Sequence, residues 1–243
     1  MPLSEVAGRR FPTTAWSIVL TAGRDSTDAH DALAVLCQAY WYPVYAYIRH
    51  RGYAGQDAED LTQQFFAHLL ETHLVRAASP GRGRFRSFLL ASIRNFLANE
   101  WDREHAVKRG GKASLLSLDF RAAEGRYALE PPDRLTPEKL FERGWALALL
   151  ERVLKRLRNE FVEAGRERRF EFMKAFLDSE PSGTTYSRLA ADLEASEGAA
   201  RVAVYRLRSR YRELLHQEIL AIVTDPAEVA DEIRYLLSAL DEA

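Results

Sequence analysis

The side chains best suited to chemistry in this 243-residue chain lie in residues 196–215, SEGAARVAVYRLRSRYRELL. At 100° per residue, Ala200, Val204, Leu207 and Tyr211 fall in one narrow stripe, which predicts a helix with a single buried seam. The opposite face carries Val202, Tyr205, Arg206 and Ser209, flanked by Arg201, Arg208 and Arg212, with Arg210 beside Arg206. Guanidinium groups neutralise phosphates and fork onto base edges, and a helix is of the width that enters a DNA major groove. Val202, Tyr205, Arg206 and Ser209 are therefore expected to read bases, and Arg201, Arg208, Arg210 and Arg212 to hold phosphate. The alternative is an ordinary solvated basic face. Residues 196–212 hold five arginines against one acid, Glu197, whereas a merely solvated helix mixes signs to gain i,i+4 pairs. Ser196 is a good N-cap for this helix. Just upstream, residues 184–193 place Tyr186, Leu189, Ala190 and Leu193 at i, i+3, i+4, i+7, a second short amphipathic helix. Two such helices joined by a short turn predict a helix-turn-helix.

A second basic stretch lies earlier. Residues 76–112 carry nine Lys and Arg against three acids, and residues 213–243 carry eight acids against one base, Arg234. The formal net charge of −1 averages over these segments, so it does not argue against a nucleic-acid partner.

Other chemistries find no residues. The six histidines show no metal-ligand spacing with Cys37 or with each other, which argues against a zinc site. No glycine-rich phosphate loop and no G-x-S-x-G is present. The acids Asp57, Glu59 and Asp60 read as the start of a helix, where they favour the dipole. The expectation is a protein that is not an enzyme and needs no cofactor or metal. A single cysteine, Cys37, cannot form an internal disulfide and fits a reducing cytoplasm. The N-terminus does not resemble a signal peptide, and no apolar run approaches the ~20 residues that span a bilayer, so no membrane insertion is expected.

The elements that position these residues read almost entirely as helix: residues 13–20, 28–50 with a kink or break before Pro43, 57–74, 85–105, 136–163, 166–177, the pair ending in 196–215, and a last helix announced by Asp225-Pro226. Residues 77–84, AASPGRGR, read as a loop. Residues 110–135 have no strong periodicity and read as a linker. The predicted fold is all-α: two helical domains joined by that linker, the C-terminal one a helix-turn-helix. In residues 57–70, DAEDLTQQFFAHLL, the buried stripe is Ala58, Leu61, Phe65 and Leu69. Glu59, Asp60, Gln63, Gln64 and Phe66 are left outside, and an exposed aromatic on a polar face points to a protein partner.

Three segments resemble the sigma-70 family of RNA polymerase sigma factors. DAEDLTQQFF is similar to the core-binding segment of region 2, FRSFLLASIRNFLANEW to the part of region 2 that melts and reads the −10 element, and SEGAARVAVYRLRSRYRELL to region 4, which reads the −35 element. The intervening sigma domains are missing, the layout of the extracytoplasmic-function (ECF) group. The resemblance implies that Asp57, Glu59, Asp60, Gln63, Gln64 and Phe66 dock on core RNA polymerase. It also implies that the loop 79–84 captures a flipped base, with Arg86, Leu90 and Asn95 beside it and Arg82, Arg84 and Arg94 holding phosphates. Phe85, Phe88, Leu89, Ile93, Phe96 and Leu97, at helical spacing, are expected in the core; Trp101 is expected there too, with a DNA contact as the alternative. The domains implied are 1–109 for polymerase and −10 binding, a linker 110–135, 136–222 for −35 binding, and an acidic C-terminal helix 223–243. That last helix is expected either to pack on the −35 module and temper non-specific DNA binding or to stand as a solvated cap. The partners implied are core RNA polymerase and promoter DNA, with room for an anti-sigma factor. The rival readings are a regulator that binds DNA without polymerase and a helical adaptor that binds only proteins.

Overall fold

The structure, a computed structural model, describes residues 16–24, 27–106, 119–128, 135–177 and 183–241. The α-helices are α1 (Trp16–Ala22), α2 (Thr27–His50), α3 (Gly55–Glu71), α4 (Phe85–Ala106), α5 (Phe120–Tyr127), α6 (Pro137–Glu163), α7 (Glu167–Met173), α8 (Gly183–Asp192), α9 (Glu197–Ile222) and α10 (Val229–Asp241). No strand occurs among the described residues, and the all-α expectation holds. No described helix is long and apolar enough to cross a membrane. The chain divides into two compact units: Met1–Leu149 with Ile219–Ala243, and Leu150–Glu218.

The first unit is built on α2. Of the kink or break expected at Pro43, the break does not occur: α2 runs from Thr27 to His50 with Pro43 inside it. Proline removes one ladder hydrogen bond, and the surroundings make up for it. Gly144 of α6 lies against the proline, where a Cβ would come 3.3 Å from the Pro43 Cα. The helix face around it is fully buried, with Val44, Tyr45, Tyr47 and Ile48 in the core. Phe65 of α3, Leu89 and Ile93 of α4, and Phe141 and Trp145 of α6 complete that core. Cys37 is buried there, and burial pushes its thiol up to about 12.

The expected linker is not featureless. Residues 120–127 form α5, whose N-cap Asp119 accepts from the Ala122 amide at 3.0 Å. Phe120 packs edge-on against Trp41 and tilted against Tyr45, each at 5.6 Å between ring centroids. Glu124 takes a fork from Arg49, 3.0 Å from Nε and 2.8 Å from Nη2, and accepts from the Tyr45 hydroxyl. The sequence signal was weak because α5 has only eight residues, too few for periodicity to stand out.

The second unit packs α7, α8 and α9 with the later part of α6 around Val153, Leu157, Phe170, Met173, Leu189 and Leu207. Phe161 meets Phe170 at 5.6 Å, and Phe176 meets Tyr186 at 5.3 Å. The turn from α8 to α9 is short. Glu194 takes a left-handed φ of 51°, and the Ala195 amide reaches back to the Ala190 carbonyl at 2.9 Å, which closes α8 as a left-handed C-cap does. Ser196 then accepts from the Ala199 amide at 3.2 Å, so one helix ends and the next begins within four residues.

Candidate nucleic-acid interface

In the second unit, α9 presents the two faces its sequence implies. Ala200, Val204 and Leu207 are buried and Tyr211 is half-buried. On the other side Tyr205 is 67% and Val202 48% exposed, large apolar groups that the fold leaves in solvent. Arg206, Ser209 and Arg212 are exposed beside them. The remaining arginines are occupied within the unit. Arg201 pairs with Glu197 at 2.7 Å and lies over the Tyr186 ring at 4.3 Å. Arg208 Nε donates to the Phe176 carbonyl at 2.8 Å. Arg210 forks onto Glu160, 2.8 Å from Nε and 2.7 Å from Nη2, and pairs with Glu213 at 2.7 Å. Glu197 also accepts from Ser187 at 3.0 Å, tying α8 to α9, and Arg201 and then Ser187 hold its carboxyl below the usual range.

In the first unit, Arg82, Arg94 and Asn95 are exposed and Leu90 is half-buried. Residues 80–82 form a short 3-10 turn, followed by Gly83 at φ 108°, a left-handed position that favours glycine. Phe85, Leu89, Ile93, Phe96 and Leu97 are core, as expected, while Phe88 is half-buried. The side chain of Trp101 lies outside the described residues, as do Lys108, Arg109 and Lys112 of the basic stretch.

Arg84, in the loop, and Arg86, beside it at the start of α4, are both ion-paired within the protein. Arg86 is 7% exposed, with its guanidinium between the rings of Trp145 at 4.3 Å and Tyr235 at 4.5 Å. Glu232 of α10 accepts from both Arg86 Nη atoms, with Nη2 at 3.3 Å, and lies 2.9 Å from Arg84 Nε. The C-terminal helix thus packs in the first unit, on α4 and on the start of α6, where Arg143 donates to the Leu240 carbonyl at 2.8 Å, rather than standing as a solvated cap. The sequence held a sign of this: Glu232 stands at i+3 from Val229 and i−4 from Leu236, one acid inside an apolar stripe. Such a position calls for a buried cationic partner.

The polar face of α3 also needs one correction. Asp57 and Gln64 are exposed, and Glu59, Asp60 and Gln63 are half-exposed, as expected. Phe66, expected outside, is 2% exposed and touches Phe65 at 5.5 Å between centroids. It shares an apolar seam with Leu36, Leu69, Phe85 and Leu89. The buried arc of α3 takes in Thr62 and Phe66 as well as the expected stripe, because the helix packs against neighbours on two sides. Thr62 joins that arc by donating its hydroxyl to the Ala58 carbonyl at 2.6 Å. Among the described residues, no group of three or more His, Cys, Asp or Glu side chains could hold a metal ion.

No curated protein and no solved structure matches the chain. Residues 36–106, from the middle of α2 through α3 to the end of α4, match the family model of sigma-70 region 2.

Proposed function

We propose that this chain is a sigma factor of ECF layout that binds core RNA polymerase and directs it to promoters by reading −10 and −35 elements. The match of residues 36–106 to sigma-70 region 2 carries the reading, since it spans both the polar α3 face and the α4 segment. In this proposal Asp57, Glu59, Asp60, Gln63 and Gln64 meet the polymerase. Arg82, Arg84, Arg94 and Asn95, with Arg86 beside them, engage the −10 strand, Arg and Asn being suited to phosphate and base edge respectively. The helix pair α8 and α9 acts as a helix-turn-helix on the −35 duplex, with Tyr205, Arg206, Val202 and Ser209 toward base edges and Arg212 toward phosphate. Arg208 and Arg210, held by Phe176 and Glu160, orient the helix. Such a protein contributes recognition and no catalytic group, and it works in the cytoplasm beside the polymerase.

The test is reconstitution. Mixed with core polymerase, the full chain should co-elute with it on gel filtration and start transcripts at discrete sites on a genomic template, mapped by sequencing. A chain that binds promoter duplex alone and never joins core polymerase would be a DNA-only regulator, and the sigma reading would fall.

A further inference from the structure

We propose that α10 is a built-in mask for the −10-reading surface, locking the arginines beside the 79–84 loop until polymerase and promoter DNA displace it. The inference rests on the proposed reading of that loop and goes beyond it to how the surface is kept closed. Glu232, 1% exposed, receives Arg86 on both carboxylate oxygens and Arg84 on one. Glu228, one turn earlier, stands 3.6 Å from Arg84. The Thr224 hydroxyl donates to the carbonyl of Pro80, within the loop itself, at 3.4 Å. The C-terminal segment thus touches the loop and the start of α4 at residues 80, 84 and 86, where the chain carries arginines and no acid.

A carboxylate and a phosphate offer guanidinium the same two-oxygen acceptor geometry. Glu232 therefore occupies the place a backbone phosphate would take, and DNA and α10 compete for the same cations. An apolar closure alone would not need a charge at this point, and burying one is costly unless it is paired. The attachment is also of a kind that can open. Residues 224–228, which lead into α10, are all exposed. Val229 and Leu236 are the apolar anchors with full burial on the helix, while Leu237 stays half in solvent.

Hydrogen exchange on the full chain, free and in the complex with core polymerase and promoter DNA, tests the mask without any variant. Amides of residues 229–241 should be protected in the free protein and exchange faster in the promoter complex. Unchanged protection overturns the mask and leaves the sigma reading standing. A second arm uses Glu232→Gln in the full chain with labelled oligo(dT) as probe. Freeing the two arginines should tighten binding about tenfold, the worth of one charge-assisted contact. Equal or weaker binding by a variant with native circular dichroism overturns the mask, and if the variant fails to fold, the exchange result decides. Failure of core polymerase to bind the chain overturns the sigma reading instead, and the oligo(dT) arm still judges the mask.

Discussion

A helical wheel puts Phe66 outside its helix and Arg210 among groove-facing arginines, and in both cases the neighbours decide otherwise. Phe66 is enclosed by α2, α3 and α4 side chains, so Phe66→Ala should cost about 3–5 kcal/mol of unfolding free energy. Denaturant titration checks this; an unchanged midpoint would mean the ring is an exposed contact after all. The arginines of α9 divide in the same way. Arg206→Ala should leave stability unchanged and weaken duplex −35 binding by about 1–3 kcal/mol if a bidentate base contact is lost. Arg210→Ala should act on stability, through the Glu160 fork, which is about a third exposed and so worth about 1 kcal/mol or less. Binding isotherms and melting curves on the two variants separate these roles.

At the scale of elements, two joints carry distinct signatures. The α8–α9 turn holds Glu194 at a left-handed φ that costs an L side chain about 1–2 kcal/mol. Glu194→Gly should therefore raise the melting temperature of the second unit, provided glycine's extra freedom in the unfolded chain does not cancel the gain. The α2–α5 joint depends on charge. Arg49, and then Tyr45, hold the Glu124 carboxyl below the usual range by hydrogen bonding. A carboxyl depressed in the folded state contributes stability above its unfolded value, about 4.3, and loses it as pH falls through the lower folded value. Docking of α5 should be intact at neutral pH and loosen only in acid, seen as faster exchange across residues 120–127. Glu124→Gln should remove that acid step.

For the whole molecule, the net charge of −1 conceals how DNA affinity should respond to salt. Log affinity falls with log salt by about 0.9 for each phosphate neutralised. Arg212, exposed with no ion pair among the described residues, should account for about one unit of that slope, so Arg212→Ala flattens the salt dependence by that amount without altering sequence preference. A regulator that reads bases alone would show no such change.

The local features are legible from the amino-acid order alone. Periods near 3.6 mark the helices, Ser196 and Asp225 mark caps, and the arginine-rich α9 shows both its buried seam and its outward face, because these depend on residues a few positions apart. Residues 57–101 likewise hold enough local pattern for the region 2 resemblance to be legible. Which exposed-looking residues are covered depends instead on contacts between distant segments. Phe66 lies in the core because α3 packs on two sides, the 120–127 helix is held by a carboxylate fork 75 residues away from Arg49, and Glu232 closes over Arg86 across 146 residues. Burial of this kind depends on what folds back from far along the chain, and periodicity, which compares only near neighbours, carries no information about it.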